Sequence, residues 1–178
     1  MARRLSNFKG TIREYQDSDF EQVATLLKNM YDHIWIDLFH WKGTSLGDAR
    51  EAVKTDCLAP DTKTLVAIHG PERRLVGFLS FAIRHGGVYF IEYIWVEKAY
   101  KRLGYEEKLL RKVEEHARQH GQDCIHVRLN ANEHDAVEFF LSQGYNVLKG
   151  LETAKYFIEP TYISGELVEI AVHRFKTR

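Results

Sequence analysis

The chain has 178 residues, is 44% hydrophobic, and balances 25 lysines and arginines against 25 aspartates and glutamates. That suits one domain with a sizeable core and excludes a disordered or low-complexity chain. A formal net charge of zero gives no general electrostatic case for nucleic acid or an anionic membrane. The longest apolar runs are far too short to span a bilayer, and no apolar region follows the arginines of MARRLSNFKG, so a signal peptide is not expected. Cys57 and Cys124 lack any C-x-x-C spacing and read as free thiols of a cytoplasmic protein.

The first elements are short. TIREY (11–15) alternates apolar and polar residues and reads as a strand. Ser18 and Glu21 then have capping-box spacing, and Phe20, Val23, Ala24, Leu27 and Met30 recur at helical intervals. Residues 31–45 are aromatic-rich without a clean period. Ser45 and Asp48 give a second cap signal; Leu46, Ala49, Ala52 and Val53 supply an apolar face, and Pro60 a stop.

TKTLVAIHG (62–70), RLVGFLSFAIR (74–84) and VYFIEYIWV (88–96) read as strands joined by Gly- and Pro-containing turns, hence as antiparallel hairpins. A helix to about Gln119 carries Leu109, Leu110, Val113 and Ala117 on one face, with Gly121 as C-cap. DCIHVRL (123–129) is a strand, with Cys124 expected in the core. AVEFFLSQ is a short helix ended by Gly144, YNVLKG a further strand, and AKYFIE and ELVEIAVHRF are strand-like. The expected fold is α/β: a mixed, mostly antiparallel sheet of six to seven strands flanked by about four helices, with 88–96 and 123–129 parallel neighbours. The expected division is an extension over 1–10, a domain over 11–159 and a strand tail over 160–178. The tail needs an edge to join, on this sheet or across a homodimer.

AYKRLGYEEKLL (99–110) lies between a strand and a helix. First-turn amides and the positive dipole end of a helix bind phosphate without many side chains. Lys101 and Arg102 add two cations, and Gly104 permits close backbone approach. As an isolated string, a solvated basic turn is the plainer reading.

With NANEHDAVEFFLSQGY downstream, the run IEYIWVEKAYKRLGYEEKLL resembles the GNAT superfamily of acyl-CoA-dependent N-acyltransferases. Val96 matches the family's strand-ending valine, Lys101 the first position of [Gln/Arg]-x-x-Gly-x-[Gly/Ala], and Gly104 its retained glycine. Ala136, Val137, Phe139, Gly144 and Tyr145 match the second pattern. The resemblance implies a GNAT-like fold and acetyl transfer from acetyl-CoA to a primary amine. It implies that amides of Lys101, Arg102, Leu103, Gly104, Tyr105 and Glu106 hold a pyrophosphate. Ile94, Trp95 and Val96 would pair with the pantetheine, and Asn132 and Phe140 would also meet the coenzyme. The sequence departs from the family twice. Glu106 replaces the last Gly/Ala of the loop, and Phe140, which has no proton to donate, stands where many members carry tyrosine. These departures favour an alternative: a coenzyme A-binding sensor or interaction module without catalysis.

Glu92, amid bulky apolar neighbours, is the candidate base, directly or through water. Alternation places it on one face with Ile94 and Val96, opposite Tyr93 and Trp95. The plainer alternative is a strand carboxylate paired with a neighbour. Tyr31, Asp32, Trp35 and Asp37, with His33 and His40, occupy the connection that walls the acceptor site in GNAT proteins. The nine histidines are scattered, so no metal site is expected.

Overall fold

The computed structural model describes residues 10–38, 42–129 and 133–147. Five strands, β1 (Gly10–Glu14), β2 (Thr62–His69), β3 (Arg74–Arg84), β4 (Val88–Val96) and β5 (Ile125–Val127), form one sheet in chain order. The first three pairings are antiparallel and β4–β5 is parallel, as the hairpin and crossover signals require. β3 is buried on both faces from Leu75 to Ala82, which explains the run LVGFLSFA, apolar but for Ser80.

The helices are α1 (Phe20–Asp32), α2 (Leu46–Ala52), α3 (Tyr105–Gln119) and α4 (His134–Ser142). Ser45 caps α2 as expected: the Asp48 amide donates to Ser45 Oγ at 3.1 Å. The cap before α1 differs from the Ser18–Glu21 expectation. A 3-10 turn over Asp17–Asp19 precedes the helix, and the Asp19 carboxylate accepts from the Gln16 amide at 2.8 Å. Asp19 is only 3% exposed and takes two bonds from Arg13, at 2.6 and 2.8 Å. Its carboxyl is raised by burial, but Arg13 and the Gln16 amide outweigh this and hold it below its ordinary value. Glu21 instead binds Arg50, tying α1 to α2. A π turn over Val53–Cys57 continues α2 ahead of Pro60.

The described residues fall into two compact units, one of 10–31 with 44–128 and one of the remainder. The first holds the sheet and α3. α3 lies on one face, where Tyr105 and His116 meet His69 and Tyr89. The second contains a π turn over His33–Leu38 and α4, which buries Val137 and Phe140.

Two further expectations are corrected. The described residues carry five strands, not six to seven: Tyr145 and Asn146 lie outside any strand, and Val147 makes only an isolated bridge. The tail over 160–178, with its proposed dimer pairing, lies outside the described residues. Cys124 is exposed rather than core, because β5 starts one residue later and lies at the edge of the described sheet.

Candidate active site

The site begins at an irregularity in β4. Phe81 pairs with Ile91 and Ser80 with Tyr93, so Glu92 is an extra residue in the ladder. Paired residues share a face; hence Ile91 and Tyr93 point to opposite sides although they are two apart. Glu92 reaches Arg84, whose guanidinium donates to its Oε1 at 2.6 Å and lies 4.2 Å above the Phe90 ring. Phe90, Glu92, Tyr93 and Trp95 therefore share one face, and Ile94 and Val96 the other. The expected grouping of Glu92 with Ile94 and Val96 is overturned, because one inserted residue resets the period of two. Nor is the carboxylate set among apolar groups alone, for it is ion-paired and its side chain is 25% exposed.

The parallel ladder between β4 and β5 ends at the same place. Its last pair is Ile91 with Val127. From Glu92 to Val96, no described strand pairs with that side of β4.

Behind the bulge runs a hydrogen-bonded chain. Tyr31 donates to Tyr93 at 2.9 Å, and Tyr93 donates to Asp56 Oδ2 at 2.7 Å. Thr55 adds a bond to Asp56 Oδ1 at 2.7 Å. Burial, then the bonds to Tyr31 and Asp56, push the Tyr93 phenol far above its ordinary range. Burial likewise raises Tyr31. Both are neutral donors at physiological pH. Sequence reasoning missed Asp56 and Tyr93. Asp56 follows α2 in a π turn, and only the fold brings it to a residue 37 positions away.

After Val96 the chain makes a 3-10 turn over Lys98–Tyr100. Arg102 (φ 68°) and Gly104 (φ 85°) then adopt left-handed backbone, separated by the exposed Leu103. For Arg102 this costs about 1–3 kcal/mol, a strain that clusters at ligand clamps. Left-handed residues before a helix turn successive amides into an anion-binding concavity. Lys108 makes the first intrahelical bond, to the Gly104 carbonyl, so by helix geometry the preceding amides project from the end of α3. Glu106 lies in this first turn. The Lys101 ammonium sits 5.0 Å from the Trp95 ring centroid.

The second unit holds the other candidates. Asp32 ends α1, Trp35 and Asp37 lie on the π turn, and His33 Nδ1 is 2.8 Å from Asp37 Oδ2. Phe140 is 1% exposed and meets Phe139 and Tyr145 edge-on. Asn132 and His40 lie outside the described residues. Among the described residues no cluster of His, Cys, Asp and Glu could hold a metal, and no helix is long and apolar enough to cross a membrane.

Residues 21–145 match the sequence model of the acetyltransferase (GNAT) family. No curated protein matches significantly. Among solved structures, a GNAT acetyltransferase from Staphylococcus aureus Mu50 is 20% identical and superposes with a TM-score of 0.62, over 76% of this chain and 83% of that one. The aminoglycoside 6'-N-acetyltransferase AAC(6')-Ih of Acinetobacter baumannii is 17% identical with a TM-score of 0.62, over 84% and 99%. AAC(6')-Iy, solved with the bisubstrate analogue CoA-S-monomethyl-acetylneamine, is 15% identical with a TM-score of 0.65, over 83% and 97%. With a family model matched over most of its length, and with the bulged strand and glycine turn in place, this chain belongs to the GNAT acetyltransferase family.

Proposed function

We propose that this protein moves an acetyl group from acetyl-CoA to a primary amine of a small molecule or protein, by direct attack and without an acyl-enzyme. The observation that carries this is the half-open strand β4 running into a left-handed turn at the head of α3. The coenzyme supplies the acetyl group as an activated thioester. Ile94, Trp95 and Val96 offer backbone groups to an extended pantetheine, as an added strand would use them. In the turn from Lys101 to Glu106 the Lys101 and Leu103 amides donate to the Glu97 and Tyr100 carbonyls at 3.1 and 3.3 Å, so the amides of Arg102, Gly104, Tyr105 and Glu106, with the Lys101 and Arg102 side chains, are the proposed pyrophosphate contacts. A backbone N–H on that edge of β4 would stabilise charge on the thioester oxygen. Asn132 and Phe140 enter the proposal only as the coenzyme-contact candidates that the family pattern supplies. AAC(6')-Iy, of the same fold, holds a CoA-containing analogue, which supports the coenzyme assignment.

Glu92 is the base, acting directly or through water, and a cationic acceptor would compete with Arg84 for its carboxylate. Tyr31, Asp32, Trp35 and Asp37 are the acceptor-side candidates. Direct transfer is supported by the thiols. Burial pushes Cys57 up to about 12, so it is not a thiolate nucleophile. Cys124 lies beside the start of β4, roughly 26 Å from its end at ~3.3 Å per residue. No metal, nucleic acid or membrane enters the proposal, and the cytoplasm is the proposed location.

A second reading, coenzyme binding without catalysis, draws on the Glu92–Arg84 pair and on Phe140, which has no proton to give. Thiol release from acetyl-CoA across a panel of primary amines separates the two. Amine-dependent release is expected; saturable binding without release favours the second reading, and no binding at millimolar coenzyme sinks both.

A further inference from the structure

The turn after β4 is held from beneath by a socket around Tyr105. This residue, the first of α3, is 1% exposed. Its hydroxyl lies 2.5 Å from His69 Nδ1 at the end of β2. Both Tyr105 and Tyr100 meet the His69 ring, at centroid distances of 5.9 and 4.9 Å, and each other edge-on at 6.4 Å. Arg74 lies 5.5 Å over Tyr100 and binds Glu97 at 2.9 Å. β1 makes room with Gly10: a Cβ there would fall 2.5 Å from Tyr105 Cε1 and 2.6 Å from its hydroxyl.

His69 thus gathers the two tyrosines that bracket residues 101–104, the segment carrying both left-handed residues. Such backbone persists only where its surroundings over-determine it. We propose that His69, through Tyr105 and in the space left by Gly10, is a positioning residue that fixes the turn in its pyrophosphate-binding shape. This rests on the coenzyme reading above. His69 touches no reacting atom in this account; it acts by preorganising amides.

The test uses Tyr105→Phe, His69→Leu and His69→Gln, the last retaining a hydrogen-bonding group. Without ligand, amide exchange at 101–107 is expected to quicken in Tyr105→Phe and His69→Leu and to stay near wild type in His69→Gln. Titration should show acetyl-CoA binding weakened about three- to tenfold in the first two variants, the loss of one hydrogen bond. Binding of acetyl-pantetheine, which lacks the pyrophosphate, should not change. Unaltered exchange in both variants, or equal weakening for both ligands, overturns the socket. Wild-type protein that binds no acetyl-CoA overturns the coenzyme reading instead, and the exchange data still decide whether the socket shapes the turn.

Discussion

The two halves of β4 stand in different surroundings. From Tyr89 to Ile91 the strand is paired on both sides, and Tyr89 and Ile91 are buried against the α3 face, with Tyr89 stacked on Phe81 and bonded to His116. From Glu92 to Val96 it keeps β3, has no described strand on its other side, and turns tyrosine, tryptophan and a carboxylate to the opposite face. One extra residue separates the halves. A bulge ends the ladder and re-aims side chains together, so one strand can carry a packing half and, in the proposed function, a binding edge without a loop.

The contrast predicts where substitutions act on chemistry and where on stability. The largest effect is expected from Glu92→Gln, which should lower kcat by about 10²–10⁴-fold if Glu92 is the base, with acetyl-CoA affinity and thermal midpoint nearly unchanged. A rate within a few-fold of wild type would remove Glu92 from that role. In the closed half, Ile91→Ala should cost about 2–5 kcal/mol in chemical denaturation. At low temperature the folded variant should bind coenzyme normally; a selective loss of binding would break the division of labour.

The closed half was legible in the sequence and the open half was not. VYFIEYIWV announced a strand because nearly every residue in it is apolar, but that same property hides its phase: no polar alternation marks where the period slips. Gly104 and the amphipathic helix after it placed the turn, because both depend on local backbone and local pattern. The hydrogen-bonded chain behind the bulge depends on tertiary contacts. The sequence offered Tyr31 but neither Tyr93 nor Asp56, since nothing local joins a helix end, a π turn and a bulged strand. For Glu92 the sequence allows a base or an ion-paired carboxylate; the fold supplies the ion pair, with Arg84 as its partner, and the base role belongs to the proposal. Strand count failed where 145–147 carried β-forming residues without forming a strand.

Two smaller effects sharpen the contrast. Tyr93→Phe removes the hydroxyl between Tyr31 and Asp56 and should cost about 1–3 kcal/mol, because polar groups lose a partner. A kinetic effect confined to acceptor KM would place this chain at the acceptor. The smallest effect lies in the closed half and depends on pH. His116 accepts from Lys63 through Nε2 at 3.1 Å, so Nδ1–H faces the Tyr89 hydroxyl at 2.7 Å. Burial, Lys63 and His120 lower the His116 pKa below 6.5, against a weaker opposing pull from Glu14. The unfolded chain then binds more protons than the folded one between these values. This contribution is complete above about pH 6.5 and is lost as pH falls through the folded value. Denaturation midpoints measured across that interval should show a small decline on acidification, which His116→Asn should flatten.

The central claim is that the open half of β4 and the turn beyond it hold the coenzyme while the closed half does not. Amide hydrogen exchange with and without saturating acetyl-CoA tests it most directly. Strong new protection is expected over residues 93–107 and little change over 88–91. Saturable binding that protects some other surface, or no protection at millimolar coenzyme, would contradict it.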